Sequence, residues 1–245
     1  ISYDLIDNVY SDWEQFFNSE EKINYKFDTN SQDGFFPFRS ESAKDNPIKD
    51  LKEFFHVYPN TNLPNFLSKN TNLLYSELVS LGNTLLGWLD DLTPNNIKSE
   101  FSKSLFSMSK GSDRNLLRVL HYPPVVGDVE QGAIRAAAHE DINLITLLVS
   151  GSQPGLEAMD MNGVWHKVPV DKGMITVNVG DMLQMASNKY FPSTSHRVVN
   201  PENSKQNVSR FSLPMFMHPR NEVILRSGIT AYDYLQERLK EINLK

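Results

Sequence analysis

Between Tyr3 and Phe17, apolar residues recur at three- and four-residue steps, at Leu5, Val9, Trp13, Phe16 and Phe17. That is the spacing of one buried helix face. Residues 28–62 break the rhythm. They are rich in Asp, Asn, Ser and Pro and read as loop, interrupted by GFFPF at Gly34–Phe38. A long helix is predicted from about Pro64 to Leu92, with an apolar stripe of Phe66, Leu73, Leu74, Leu78, Leu81, Leu85 and Leu89. Thr93-Pro94 suits a restart, with Thr as N-cap and Pro at the first helical position. The shorter helix that follows is expected to carry Ile97, Phe101, Leu105 and Phe106.

From Leu116 the period shortens to that of strands. Nine short segments qualify: 116–122, 133–139, 144–149, 156–159, 164–168, 174–177, 182–186, 195–199 and 209–217. Asn162-Gly163 is the pair favoured by a two-residue type I′ hairpin turn. Many short strands close together predict an all-β sandwich or jelly roll. A last helix is expected over about Thr230–Ile242, with no internal repeat and no low-complexity tract. The pattern thus divides the chain into a mostly helical region, 1–110, and a β core with a C-terminal helix, 111–245.

Composition narrows the function. At 245 residues and 40% hydrophobic, the chain can bury one large core or two modest ones. A net charge of -6 with no basic cluster argues against a nucleic-acid surface. The absence of cysteine removes disulfides and thiolate metal sites and fits a reducing compartment. No apolar run approaches the length of a membrane span. The first residue is Ile1, with neither a charged n-region nor a small-residue cleavage site after it. A trimmed start and a cytoplasmic, monomeric protein are therefore expected.

The candidate chemistry lies at the ends of apolar strands. His139 and Asp141 are two apart, so on a strand both point the same way and Glu140 the other. His-Glu-x-x-His of a zinc protease is excluded because position 143 is Asn143. His196, in STSHRVVN, supplies a third ligand candidate. Two histidines and one carboxylate form the facial triad of non-haem Fe(II) oxygenases, with adjacent positions left for a co-substrate and O2. Zinc hydrolases also use three ligands and an open site, so the triad alone does not choose the metal. Arg210 and Ser212, two apart on a predicted strand, would make either a carboxylate clamp or an ordinary edge-strand ion pair.

Five segments in order, LRVLHYPP, HEDINLITLL, PGLEAMDMNGVWHKVP, VNVGDMLQMASNKYFPSTSHRVVNP and RFSLPMFMHP, resemble the Fe(II)/2-oxoglutarate-dependent dioxygenases of the isopenicillin N synthase-like superfamily. EQFFNSEEKINY and DGFFPF match that family's N-terminal region more loosely. The resemblance implies a mainly β fold with flanking helices around a double-stranded β-helix (jelly-roll) core. It implies Fe(II) on His139, Asp141 and His196, and 2-oxoglutarate held by Arg210 and Ser212, with Tyr122 reaching the same carboxylate. O2 completes the reaction. The expected outcome is oxidation of an unactivated C–H bond of a small molecule, by hydroxylation or desaturation, with release of succinate and CO2. One departure stands out: where plant members carry Asn two residues before the tyrosine, this chain has Leu120. Isopenicillin N synthase itself also resembles the pattern, yet uses no 2-oxoglutarate, so a 2-oxoglutarate-independent oxidase is the alternative.

Other residues follow from parity and position. Arg118 shares parity with Tyr122 and is a candidate for substrate binding or for a buried structural pair. Asn143 shares parity with Asp141 and is a candidate for lining the site. Phe35, Phe36 and Arg39 are candidates for the substrate side, because the family lays this loop over the barrel mouth; core packing is the competing role for the phenylalanines. Asn178 and Asp181 are expected to build a turn, and His121 to face away from the site. His56, His166 and His218 are expected to be structural or exposed.

Overall fold

Two antiparallel sheets face each other across a cavity, and long helices cover the outer face of the larger one. The computed structural model describes residues 1–43, 46–127, 130–203 and 207–241. The strands are β1 (Gly34–Phe36), β2 (Glu53–Val57), β3 (Leu116–Tyr122), β4 (Ala136–His139), β5 (Ile145–Val149), β6 (Leu156–Met159), β7 (Trp165–Lys167), β8 (Ile175–Val179), β9 (His196–Val198), β10 (Arg210–Met217), β11 (Ile224–Arg226) and β12 (Ile229–Thr230). The major sheet has the order β1-β2-β3-β10-β5-β8, and the minor sheet β4-β9-β6-β7. This is the jelly roll the strand spacing implied.

The major sheet is buried on both faces, so alternation sorts residues between two interiors rather than between core and water. On β10, Phe211, Leu213, Met215 and Met217 join the helix-facing core, while Arg210, Ser212, Pro214 and Phe216 line the cavity. On β3, Leu117 and Val119 face the helices and Arg118, Leu120 and Tyr122 the cavity. His121 also points away from the cavity, stacked on Phe211 at 4.5 Å and bonded to Glu53.

Helix α1 (Tyr3–Asn18) starts at Ser2, whose hydroxyl accepts from the Leu5 amide. It buries Leu5, Ile6, Val9, Trp13, Phe16 and Phe17. Helix α2 (Asn65–Leu92) buries Leu67, Thr71, Leu74, Leu78, Gly82 and Leu86. The buried stripe is therefore shifted from the expected one, and Phe66 and Leu73 are exposed. Two small or polar residues explain the shift. Thr71 accepts a bond from Trp13 Nε1, and Gly82 lies so close to Met217 that a Cβ would approach its sulfur to 2.6 Å.

Other local expectations give way to competing interactions. Thr93 ends α2 rather than starting a new helix, its hydroxyl donating to the Leu89 carbonyl. Two short helices follow, α3 (Asn95–Lys98) and α4 (Leu105–Ser109), because Asp90 captures the Leu105 and Phe106 amides. Residues 182–186, read as a strand, form helix α5 (Asp181–Ala186), with Gly180 as N-cap and Asp181 in its first turn. Asn162-Gly163 belongs to a longer loop: Asp160 pairs with Val164, and Gly163 takes a positive φ of 79°. The segment 28–62 is not all loop, since EFFHV forms β2 and carries β1 onto β3. The last helix, α6 (Ala231–Glu241), matches its expected span up to Ile242, which lies outside the described residues.

Candidate active site

His139 closes β4 and His196 opens β9, and the two are register partners. Their rings stand side by side, centroids 4.4 Å apart with planes at 52°. Asp141 is not on the strand: β4 ends at His139, and Asp141 lies in the turn before β5. The turn, rather than a shared strand face, brings its carboxylate to the histidines. One ligand atom from each of the three lies within 4.8 Å of the others, and His196 Nε2 is 3.6 Å from Asp141 Oδ1.

The surroundings orient all three groups. His139 Nδ1 lies 2.7 Å from the Ala137 carbonyl, and His196 Nδ1 lies 3.0 Å from the Thr194 carbonyl. Each Nδ1–H donates to its carbonyl, which leaves each Nε2 lone pair for a metal. Asp141 Oδ2 accepts from Thr146 Oγ1 at 2.5 Å and from Asn178 Nδ2 at 2.9 Å, so Oδ1 is the oxygen turned to the histidines. Burial, reinforced by the neighbouring His196, pushes the His139 pKa down to about 4. Burial works against the Asp141 carboxylate, but the two imidazoles and the two hydrogen bonds hold its pKa below the usual value. Two imidazoles and one carboxylate are the donor set of a divalent iron site.

Asn178 is therefore a carboxylate-orienting residue rather than a turn former. Asn143 does not line the cavity. It is fully buried behind Thr146, donating to Thr146 Oγ1 at 2.7 Å, because the residues between Asp141 and β5 bend and strand parity does not reach across them. Gly180 closes the same layer. A Cβ there would fall 2.1 Å from Asn143 Oδ1 and 2.8 Å from the Asp141 carbonyl. Gly180→Ala is expected to destabilise the fold by about 1–3 kcal/mol through overpacking, lowering the melting temperature and weakening iron binding together. Asn178→Ala is expected to keep the fold while weakening iron affinity about 10–100-fold, as an Fe(II) titration would measure.

Both histidines, Asp141, Arg210, Ser212 and Tyr122 border one cavity between the sheets. Arg210 is 1% exposed. Its Nε donates to the Gln153 carbonyl at 3.0 Å and its guanidinium stacks over Tyr122 at 5.1 Å. Its Nη1 is buried without a partner. A Cβ at Gly151 would stand 3.0 Å from its Nη2, so the absence of a side chain there makes room for the guanidinium. A buried donor left unpaired costs about 1–3 kcal/mol; a ligand carboxylate would satisfy it. Tyr122 pairs with Arg210 in register and Leu120 with Ser212. Arg210 and Ser212 are thus on a central strand, not an edge, and no protein carboxylate pairs with Arg210 among the described residues.

The remaining wall holds charges that a sequence reading places in solvent. Lys52 is 5% exposed and borders the cavity, with Nζ 2.7 Å from Glu41 Oε2 and 2.8 Å from Asp50 Oδ2. Arg118 also borders it, donating from Nε to His56 Nε2 and from Nη1 to Glu41 Oε2. Burial, then Arg118, keeps His56 neutral, with a pKa well below the ordinary value. Phe35 and Arg39 lie elsewhere. Phe35 is buried against Phe16 and Phe17 in the helix-facing core. Arg39 is largely exposed, paired with Glu130. Phe36 packs on Phe54 in the small cluster between the sheets. His166 is exposed beside Asp160 and His218 is buried.

Residues 113–219 match the family model of the 2OG-Fe(II) oxygenase superfamily. The proline hydroxylase buaE of Petromyces alliaceus is 30% identical over 230 residues, covering 80% of this chain and 70% of that protein. The 2-oxoglutarate-dependent dioxygenase citB of Monascus ruber is 38% identical over 114 residues, 45% of this chain but 33% of that protein. Among solved structures, a Shewanella oneidensis protein assigned as an oxygenase is 48% identical with a TM-score of 0.87, covering 98% of this chain and 86% of that one. A full-length Neurospora crassa protein, solved in complex with alpha-KG, shares the fold at 24% identity and a TM-score of 0.79, over 98% of this chain and 83% of that one. Triad, jelly roll and relatives agree: the chain belongs to the 2OG-Fe(II) oxygenase superfamily, a family of iron- and 2-oxoglutarate-dependent dioxygenases.

Proposed function

We propose that this chain is a 2-oxoglutarate-dependent dioxygenase that oxidises an unactivated C–H bond of a small-molecule substrate, in the manner of the isopenicillin N synthase-like branch. His139, Asp141 and His196 hold Fe(II). Arg210, Ser212 and Tyr122 receive the far carboxylate of 2-oxoglutarate. Bound iron, with 2-oxoglutarate and O2, supplies the oxidising chemistry, whose by-products are succinate and CO2.

The chain's own residues bind, orient and shield. Thr146 and Asn178 fix which oxygen Asp141 presents. The carbonyls of Ala137 and Thr194 fix the ring orientation of the histidines. Leu120, Leu148 and Leu156 line the cavity between the sheets and limit water there. The observation that carries the reading is the buried Nη1 of Arg210, a cationic donor without a protein partner in the triad's own cavity. A dicarboxylic co-substrate explains it; an oxidase needing no 2-oxoglutarate leaves that donor to the substrate alone.

The test is stoichiometric. With Fe(II), O2, 2-oxoglutarate and ascorbate, the last giving the two electrons that the substrate would otherwise give, the protein should form succinate and CO2 in equal amounts, and omission of iron should stop both. Oxygen consumption with no 2-oxoglutarate consumed would instead support the oxidase alternative. A monomer working in the cytoplasm is part of the proposal; the net charge of -6 speaks against a nucleic-acid partner, and no described helix is long and apolar enough to cross a membrane.

A further inference from the structure

The co-substrate clamp accounts for Arg210 but leaves Lys52 and Arg118 unused. Both border the cavity. Their heads grip the same oxygen, Glu41 Oε2, at 2.7 Å and 3.2 Å, and both lie over the Phe54 ring, at 5.8 Å and 4.6 Å. They form the cationic pole of a cluster whose net charge Glu41 and Asp50 cancel. Glu41 and Asp50, which hold them, are not among the residues that border the cavity. Lys52 spends two of its three N–H donors on Glu41 and Asp50. Arg118 spends Nε and Nη1 on His56 and Glu41. Among the described residues, the third Lys52 donor and Arg118 Nη2 have no acceptor.

Register places Arg118 apart from the clamp: Arg210 pairs with Tyr122, and Arg118 lies four residues back along β3, about 13 Å at the rise of a strand. Lys52 precedes Glu53, the partner of His121, so it is rooted beside Tyr122 and its ammonium reaches back to Glu41, the carboxylate that Arg118 also grips. The metal triad is nearer the Arg118 end: Thr146, which bonds Asp141, pairs with Phe216, which in turn pairs with Leu116. Phe216 also lies 5.7 Å from the Arg118 guanidinium. An ammonium and a guanidinium sharing one anchor, with spare donors side by side, fit a charge-assisted pair with a carboxylate better than a neutral acceptor. Leu120, Leu156, Val168 and Phe216 supply the apolar walls.

Resting on the proposed oxygenase reading, we infer that Lys52 and Arg118 bind the carboxylate of the primary substrate, which is a small monocarboxylic acid with an apolar body. The carboxylate is held at the pole, and the body reaches along Phe216 toward the triad, so the oxidised carbon is remote from the acid group.

The test uses full-length protein loaded with Mn(II) and 2-oxoglutarate, which keeps the metal site filled without turnover. Benzoate, phenylacetate, 3-phenylpropanoate and hexanoate are titrated against their primary amides by ligand-observed NMR. The expected result is at least one acid bound about tenfold or more tightly than its amide. Lys52→Met and Arg118→Gln should each remove that preference, and Arg118→Gln should do so while leaving 2-oxoglutarate affinity within about twofold of wild type. Arg118→Gln guards against the case in which Lys52→Met, by unpairing Glu41 and Asp50, fails to fold. No acid bound more tightly than its amide, or preference kept in a folded variant, overturns the inference. Equal loss of 2-oxoglutarate and acid binding would also overturn it, by assigning the cations to the co-substrate. Failure of wild type to bind 2-oxoglutarate would instead strike the oxygenase reading beneath it.

Discussion

His139→Ala is expected to lower Fe(II) affinity by more than about 100-fold, since on the proposed assignment it removes a direct ligand, where loss of an orienting partner alone costs about 10–100-fold. Succinate formation should fall to background with it. The physical reason is the geometry around Nε2. The Ala137 carbonyl fixes the ring tautomer, and burial keeps the imidazole neutral, with a pKa of about 4, so the lone pair is available throughout the neutral range. Because His139 terminates β4, its truncation should leave the melting temperature of the metal-free protein within a few degrees of wild type. Unchanged iron affinity in His139→Ala would remove this residue from the ligand set.

Arg210→Met is expected to raise the 2-oxoglutarate KM by about 100-fold, corresponding to about 3 kcal/mol for truncating one side of a buried, hydrogen-bonded charge pair. Iron affinity should hardly change, because Arg210 stands opposite Tyr122 on the sheet, away from Thr146 and the triad. Methionine retains much of the volume and removes the charge, and the bond it forfeits inside the protein is the one to the Gln153 carbonyl. The effect should therefore appear in KM far more than in stability. An unchanged KM would mean that the unpaired Nη1 serves another ligand.

The sequence made parts of this architecture legible because strand alternation has only one period. Arg210 and Ser212 share a face of β10, and Arg118 and Tyr122 share a face of β3, as their spacing requires. Parity misled where the chain was not a strand. Asp141 and Asn143 lie in the bend between β4 and β5, so one reaches the cavity and the other is buried behind it. The run at 182–186 is too short for periodicity to separate helix from strand; the Gly180-Asp181 start was the cue that favours α5. EFFHV was hidden for a different reason. All five residues are buried, so no alternation marks it within a polar stretch. Lys52 and Glu41 were invisible as site residues, because a charge in a polar segment reads as solvated until tertiary structure shows it paired and enclosed.

On the proposed reading, one cavity holds iron and 2-oxoglutarate together on His139, Asp141, His196 and Arg210. The most direct measurement is an anaerobic titration of the Fe(II)-loaded protein with 2-oxoglutarate, followed by visible absorption. A weak metal-to-ligand charge-transfer band that saturates at one equivalent, is lost in His139→Ala and needs much higher 2-oxoglutarate in Arg210→Met is the predicted result. Iron bound at one equivalent with no band at any 2-oxoglutarate concentration would contradict it.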